Sequence, residues 1–87
     1  MSTAQGSGVR AVVEVLAKAL ADRPEEVRVT ETEQRGTTLI ELFVAGDDLG
    51  RMIGRQGRMA AALRTLAATA GEREGRKVTL EIRDGRS

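Results

Sequence analysis

Asp48-Leu49-Gly50-Arg51-Met52-Ile53-Gly54-Arg55-Gln56-Gly57-Arg58 is the stretch that decides how this chain folds and what it can hold. It joins a short apolar segment (Leu49, Met52, Ile53) to an alanine-rich helix expected from Arg58. Gly54 and Gly57 let the backbone turn sharply and come close to a ligand, because neither carries a Cβ. The turn opens a helix N-terminus, where unpaired N–H groups and the helix dipole favour an anion. Arg55 and Gln56 fill the loop, and Arg51 and Arg58 flank it. Such a loop is suited to gripping a phosphodiester backbone. With 10 glycines in 87 residues, a bare G-x-x-G is expected about once by chance, so its weight comes from context.

That context is read outward from the loop. Before it, Thr37 to Val44 is the most hydrophobic strand and the expected centre of a sheet. Ile40, Leu42 and Val44 share one face, and Leu39, Glu41 and Phe43 share the other. Val27 and Val29 alternate with polar residues in a weaker strand, joined to it by a turn at Gln34-Arg35-Gly36, which makes an antiparallel hairpin. Val9, Val12, Val13, Leu16, Ala17 and Leu20 recur at helical spacing and predict a core-facing helix over 8–21, ended ahead of Pro24. Ala45-Gly46-Asp47 breaks the central strand. The pair Asp47-Asp48 reads as an N-cap, a better account of it than a carboxylate metal site. Helices are expected over 48–53 and 58–70, the second burying Met59, Leu63, Leu66 and Ala70 at least in part. After a polar loop from Gly71 to Arg76, Val78, Leu80 and Ile82 alternate in a last strand. The order α-β-β-α-α-β, with a right-handed crossover to the last strand, predicts an α+β domain: a three-stranded mixed sheet with helices on one face. One domain is expected over 8–83, between a disordered tail at 1–7 and a short tail at 84–87.

Composition narrows the chemistry. The chain has no Cys and no His, which removes thiolate nucleophiles, imidazole acid–base catalysis and Cys/His metal sites together. No enzymatic activity and no cofactor are expected. No apolar run is long enough for a bilayer and no signal-peptide pattern opens the chain, so a cytoplasmic protein is expected. Phe43 is the only aromatic residue, so bases cannot be bound by stacking on several rings. The net charge of +1 conceals a division. Residues 22–48 hold eight acids against three bases, and residues 51–77 hold seven bases against two acids. One side can attract a polyanion while the other repels it.

The element order and the loop together resemble a type II KH domain, whose signature is an apolar-Ile-Gly-x-x-Gly motif between two helices. The run 49–58, followed by Ala62-Leu63-Arg64-Thr65, is similar to the small bacterial KhpA-type RNA-binding proteins (the YlqC family), and the likeness covers nearly the whole chain. It implies a non-catalytic protein whose loop clamps the backbone of about four single-stranded nucleotides. Gly54 and Gly57 would allow close approach, and Arg55 and Gln56 would face the phosphates beside Arg58 and Arg51. Ile53 would lie in the groove floor or the core, and Gly71 to Arg76 would form the variable loop across the groove. It also implies self-association, here expected as a homodimer through helix 58–70. Ala61, Arg64, Thr65 and Ala68 would lie outward on that helix, with Leu66 on the border between core and interface. A second KH protein of the KhpB/Jag type is an implied partner. Post-transcriptional regulation or RNA chaperoning tied to cell division, cell-wall synthesis or ribosome biology is the implied setting. The rival reading is a protein-interaction module on a KH scaffold. Single-stranded DNA in place of RNA is a further alternative, since the loop reads backbone and nothing in it specifies the 2′-hydroxyl.

Overall fold

The computed structural model describes residues 8–85; the tail expected over 1–7 lies outside the described residues, as do residues 86–87. The described elements are α1 (Gly8–Leu20), a 3-10 turn (Pro24–Glu26), β1 (Arg28–Gln34), β2 (Thr37–Val44), α2 (Gly46–Arg73) and β3 (Lys77–Asp84). Order along the sheet is β1-β2-β3, so the most hydrophobic strand is central, as its composition predicts. β1 pairs with β2 in antiparallel register, with Gln34 opposite Thr37. β3 pairs parallel to β2, with Ile40 opposite Leu80. Arg35 and Gly36 both have positive φ, +52° and +82°, the conformation a two-residue hairpin needs to match strand twist.

One face of the sheet is covered by the helices. Ile40, Leu42 and Val44 of β2 are buried against Val9, Val13 and Ala17 of α1, Met52, Leu63 and Ala67 of α2, and Leu80 of β3. The three α1 residues recur every four positions and so line one face of that helix. Val12 and Leu20, which the periodicity assigns to the same face, are instead exposed. The apolar arc of α1 is wider than the sheet can cover.

The two helices expected around the glycine loop form α2, which is broken inside the loop. Gln56 and Gly57 have φ of +64° and +67°. A straight helix of 28 residues would measure about 42 Å, beyond the molecule's longest extent of 33 Å. Two left-handed residues therefore divide α2 into arms of 46–55 and 58–73 without inserting a longer loop. α2 also starts earlier and ends later than its hydrophobic pattern suggests. Its N-cap is Ala45, with no side-chain cap, so the cap reading of Asp47-Asp48 is replaced by another use for Asp48 described below. At the far end the helix continues through Gly71. It closes where the Arg76 N–H donates to the Gly71 carbonyl (2.8 Å) and the Gly75 N–H to the Glu72 carbonyl (3.0 Å), with Gly75 at φ +70°. This is a Schellman closure, in which a left-handed glycine returns the chain. The last strand likewise runs one residue past the expected boundary, as Asp84 pairs with Val44.

Gly71 is glycine for a packing reason. A Cβ there would collide with the Val78 side chain and lie 3.1 Å from the Arg76 carbonyl oxygen. Gly71→Ala is expected to cost about 1–3 kcal/mol, lowering Tm by roughly 5–20 °C in thermal unfolding followed by circular dichroism.

Candidate nucleic-acid interface

The position of the loop is set by a polar joint at the start of α2. Asp48 is 1% exposed. Its carboxylate accepts the backbone N–H of Asp22 (2.9 Å) and of Arg23 (3.1 Å), and pairs with Arg51 Nη2 at 2.9 Å. The same Nη2 donates to the Leu20 carbonyl at 2.9 Å and stands 3.6 Å from Asp22 Oδ1. Two orphan N–H groups after α1 and one carbonyl at its C-terminus are thereby satisfied by the first two turns of α2. Burial pushes the Asp48 carboxyl up. The N–H groups of Asp22 and Arg23 and the Arg51 guanidinium outweigh it, holding the carboxyl below the ordinary aspartate range. Arg51 is in turn raised, chiefly by its hydrogen bond to Asp48.

From this joint the first arm carries the loop outward. Ile53 is 52% exposed, so it belongs to the surface beside the loop and not to the core. The backbone passes through Gly54 and Arg55 into the left-handed pair Gln56 and Gly57, and Gln56 and Arg58 are exposed. A left-handed residue bearing a side chain costs about 1–2 kcal/mol, so Gln56 is held in a strained backbone by its neighbours. A Cβ at Gly54 or Gly57 would meet nothing within 4 Å, and the same is true at Gly50. Gly57 is explained by its positive φ. Gly50 and Gly54 are explained by neither φ nor packing, and they stand one helical turn apart on one side of the arm. They leave a strip of bare backbone that leads into the loop. The spacing of four between these glycines was the signal in the sequence for this strip.

The second arm and the start of β3 border an open groove of about 400 Å³ lined by Ala68, Glu72, Gly75, Arg76, Lys77 and Val78. Arg76 is committed elsewhere. It pairs with Glu33 at 2.7 Å and Glu31 at 3.1 Å, and Glu33 also accepts the buried Thr38 hydroxyl at 2.7 Å. That hydroxyl and Arg76 together hold the Glu33 carboxyl low. Among the described residues, Arg58, Arg64, Arg73 and Lys77 take part in no ion pair. The structure thus sorts the bases expected near a ligand. Arg51 and Arg76 are held by acids, whereas Arg58, on the loop's helical exit, is exposed and unpaired. Among the described residues, no cluster could hold a metal ion and no helix is long and apolar enough to cross a membrane.

This two-layer αββααβ arrangement, with a broken helix at Gly54 to Gly57, is a KH domain of type II. Residues 10–82 match the family described as KhpA/KhpB, KH domain, and the chain belongs to that family. It is 47% identical over 76 residues to the RNA-binding protein KhpA of Aquifex aeolicus, covering 87% of this chain and 96% of that one. It is 42% identical over 74 residues to the RNA-binding protein KhpA of Clostridium perfringens, covering 85% of this chain and 99% of that one. Among solved structures it is similar to Aquifex aeolicus Era, crystallised with GDP and aluminium fluoride, with a TM-score of 0.59 and 22% identity. That match covers 87% of this chain and 29% of Era, and it bears on the fold alone.

The joint makes a testable claim about stability. Because the Asp48 carboxyl lies below its unfolded value of about 3.9, its contribution is complete above that value and is lost as pH falls through the folded one. Asp48→Ala is expected to lose about 2–3 kcal/mol near neutral pH, from N–H groups left unpaired. Urea unfolding should show the gap between variant and wild type narrowing as pH falls below about 4.

Proposed function

We propose that this protein is a non-catalytic, cytoplasmic RNA-binding protein that clamps the backbone of single-stranded RNA at Gly54-Arg55-Gln56-Gly57. The observation that carries the reading is Gly54. The free chain needs no glycine there for φ or for packing, and a glycine inside a helical arm is unfavourable by about 1 kcal/mol relative to alanine. A reason outside the chain is required, and a phosphate backbone lying against bare helix supplies it. The strained Gln56, the exposed and unpaired Arg58 and the exposed Ile53 border the same place. The names of the relatives, RNA-binding protein KhpA, favour RNA over DNA. The aliphatic surroundings suit a ligand held by phosphates and base edges. Post-transcriptional regulation or RNA chaperoning is the corresponding role.

Self-association through the outer face of α2, around Ala61, Arg64, Thr65 and Leu66, and pairing with a KhpB-type KH protein are part of the same reading. Their support is the family match and the 46% exposure of Leu66. A single four-nucleotide clamp binds weakly, and a second linked clamp raises affinity through effective concentration.

Replacing Arg55 and Gln56 together with Asp should abolish binding of a labelled single-stranded RNA in fluorescence anisotropy while circular dichroism stays unchanged. Retained affinity would sink the loop assignment. Salt dependence separates the arginines. Arg58→Ala should reduce the slope of log K against log salt by about 0.7, the value for one phosphate no longer neutralised on single-stranded RNA. Arg51→Ala should lower thermal stability by disrupting the joint and leave that slope unchanged.

A further inference from the structure

A phosphodiester backbone accepts hydrogen bonds at its phosphate oxygens, and in RNA it also donates one, from the ribose 2′-hydroxyl. The backbone of DNA has no donor at all. Guanidinium and main-chain N–H groups only donate, so Arg55, Arg58 and the bare helix at Gly54 suit the phosphates of either nucleic acid alike. A side-chain acceptor in the loop has a different use. From Leu49 to Gly71 there is no Asp or Glu, and the side chains that carry an accepting oxygen are Gln56, Thr65 and Thr69. The two threonines lie about two and three turns into the second arm. At the break itself the accepting side-chain oxygen is that of Gln56.

The fold leaves that oxygen open. Gln56 is exposed, and among the described residues its amide takes part in no hydrogen bond. Its φ of +64° is a conformation that glycine adopts without strain, as Gly57 does beside it. Asn and Asp ease such a backbone by bonding locally through a short side chain. Glutamine is one methylene longer, and no such bond forms here. Glycine at position 56 would be less strained, so the fold itself has no use for the amide. Charge does not explain it either, because a neutral side chain adds nothing to phosphate neutralisation. The surroundings are clear: a Cβ at Gly54 or Gly57 would meet nothing within 4 Å, so a ribose can come close on either side. We propose that Gln56 is the residue by which this loop tells RNA from DNA, its Oε1 accepting the 2′-hydroxyl proton of a nucleotide held against Gly54 to Gly57. The same amide keeps its Nε2 hydrogens for a phosphate oxygen. This rests on the reading that the loop grips a nucleic-acid backbone, and it adds recognition of the sugar to that grip.

The test uses one mixed sequence made in three forms: RNA, DNA with deoxyuridine in place of thymidine, and 2′-O-methyl RNA, which keeps an acceptor at the 2′ position and loses the donor. Each labelled strand is titrated in fluorescence anisotropy with wild-type protein, Gln56→Gly and Gln56→Met. Glycine suits the left-handed backbone, so Gln56→Gly should fold with an unchanged circular dichroism spectrum. Gln56→Met keeps the length of the side chain without the amide. Wild type should bind RNA about three- to tenfold more tightly than either other strand, the worth of one neutral hydrogen bond. Both variants should lose that margin through weaker RNA binding, with DNA affinity and the salt slope unchanged, since no charge is removed. Equal binding of RNA and DNA by the wild type would overturn the proposal, as would a margin kept in full by Gln56→Met. A margin that survives Gln56→Gly would give the hydroxyl to a main-chain carbonyl of the break, overturning the role of Gln56 and leaving the loop reading intact. RNA affinity retained when Arg55 and Gln56 are both replaced with Asp would sink the loop reading, and this proposal with it.

Discussion

A carboxylate taken out of water must be given partners, and that constraint places the loop. Asp48 is buried at the point where α1, the turn after it and the first arm of α2 converge, and it has three donors there. Arg51 completes the joint by taking the last carbonyl of α1. The arrangement fixes the direction of an arm that reaches Gly54 about one turn later. Removing either side chain would strand the other's partners, so the two residues act as one unit. Their cost in desolvation is offset because both oxygens of the buried Asp48 carboxylate have donors and the Arg51 guanidinium stays partly in solvent.

Beyond that joint the molecule separates residues that the fold requires from residues that it tolerates. Gly71 and Gly75 are required, one by close packing against Val78 and the other by a left-handed helix end. Gly57 is required by its φ. Gly50 and Gly54 have no such ground, and Gln56 stands in a conformation that favours glycine. Unexplained glycines and a strained polar residue within one short segment are what a surface shaped for another molecule looks like before that molecule arrives. On α1 the apolar residues exceed what the sheet can cover, and Val12, Val15 and Leu20 are left exposed.

The charge pattern is reorganised by tertiary structure. Acids of the hairpin that look free in the sequence are held: Glu31 and Glu33 by Arg76, and Glu41 by Arg83 at 3.0 Å. These pairings withdraw bases from the general pool and leave Arg58, Arg64, Arg73 and Lys77 without ion pairs among the described residues. A polyanion therefore meets fewer, better-defined cations than the count over 51–77 suggests, with Arg58 at the loop itself. Exposed pairs of this kind add little stability, and their effect here lies in which bases they leave available.

The amino-acid sequence by itself determined the element order, the central strand, the hairpin and the site of the helix break, because periodicity, turn chemistry and glycine act locally. Thr37 to Val44 was legible to the residue, and the hairpin turn to within one, since Gln34 closes β1 and the turn is Arg35-Gly36. Boundaries at Gly46, Arg73 and Asp84 were not, since helices and strands extend wherever neighbours supply hydrogen bonds. The tertiary structure alone decided that Asp48 is a buried hub and not a cap, that Arg51 and Arg76 are committed to acids, and that Val12 and Leu20 face outward. Each of those depends on which chain segments meet across 25 or more positions, as Asp48 meets Asp22 and Arg23. Pairwise distance in space, unlike periodicity, is not written in any local stretch of residues.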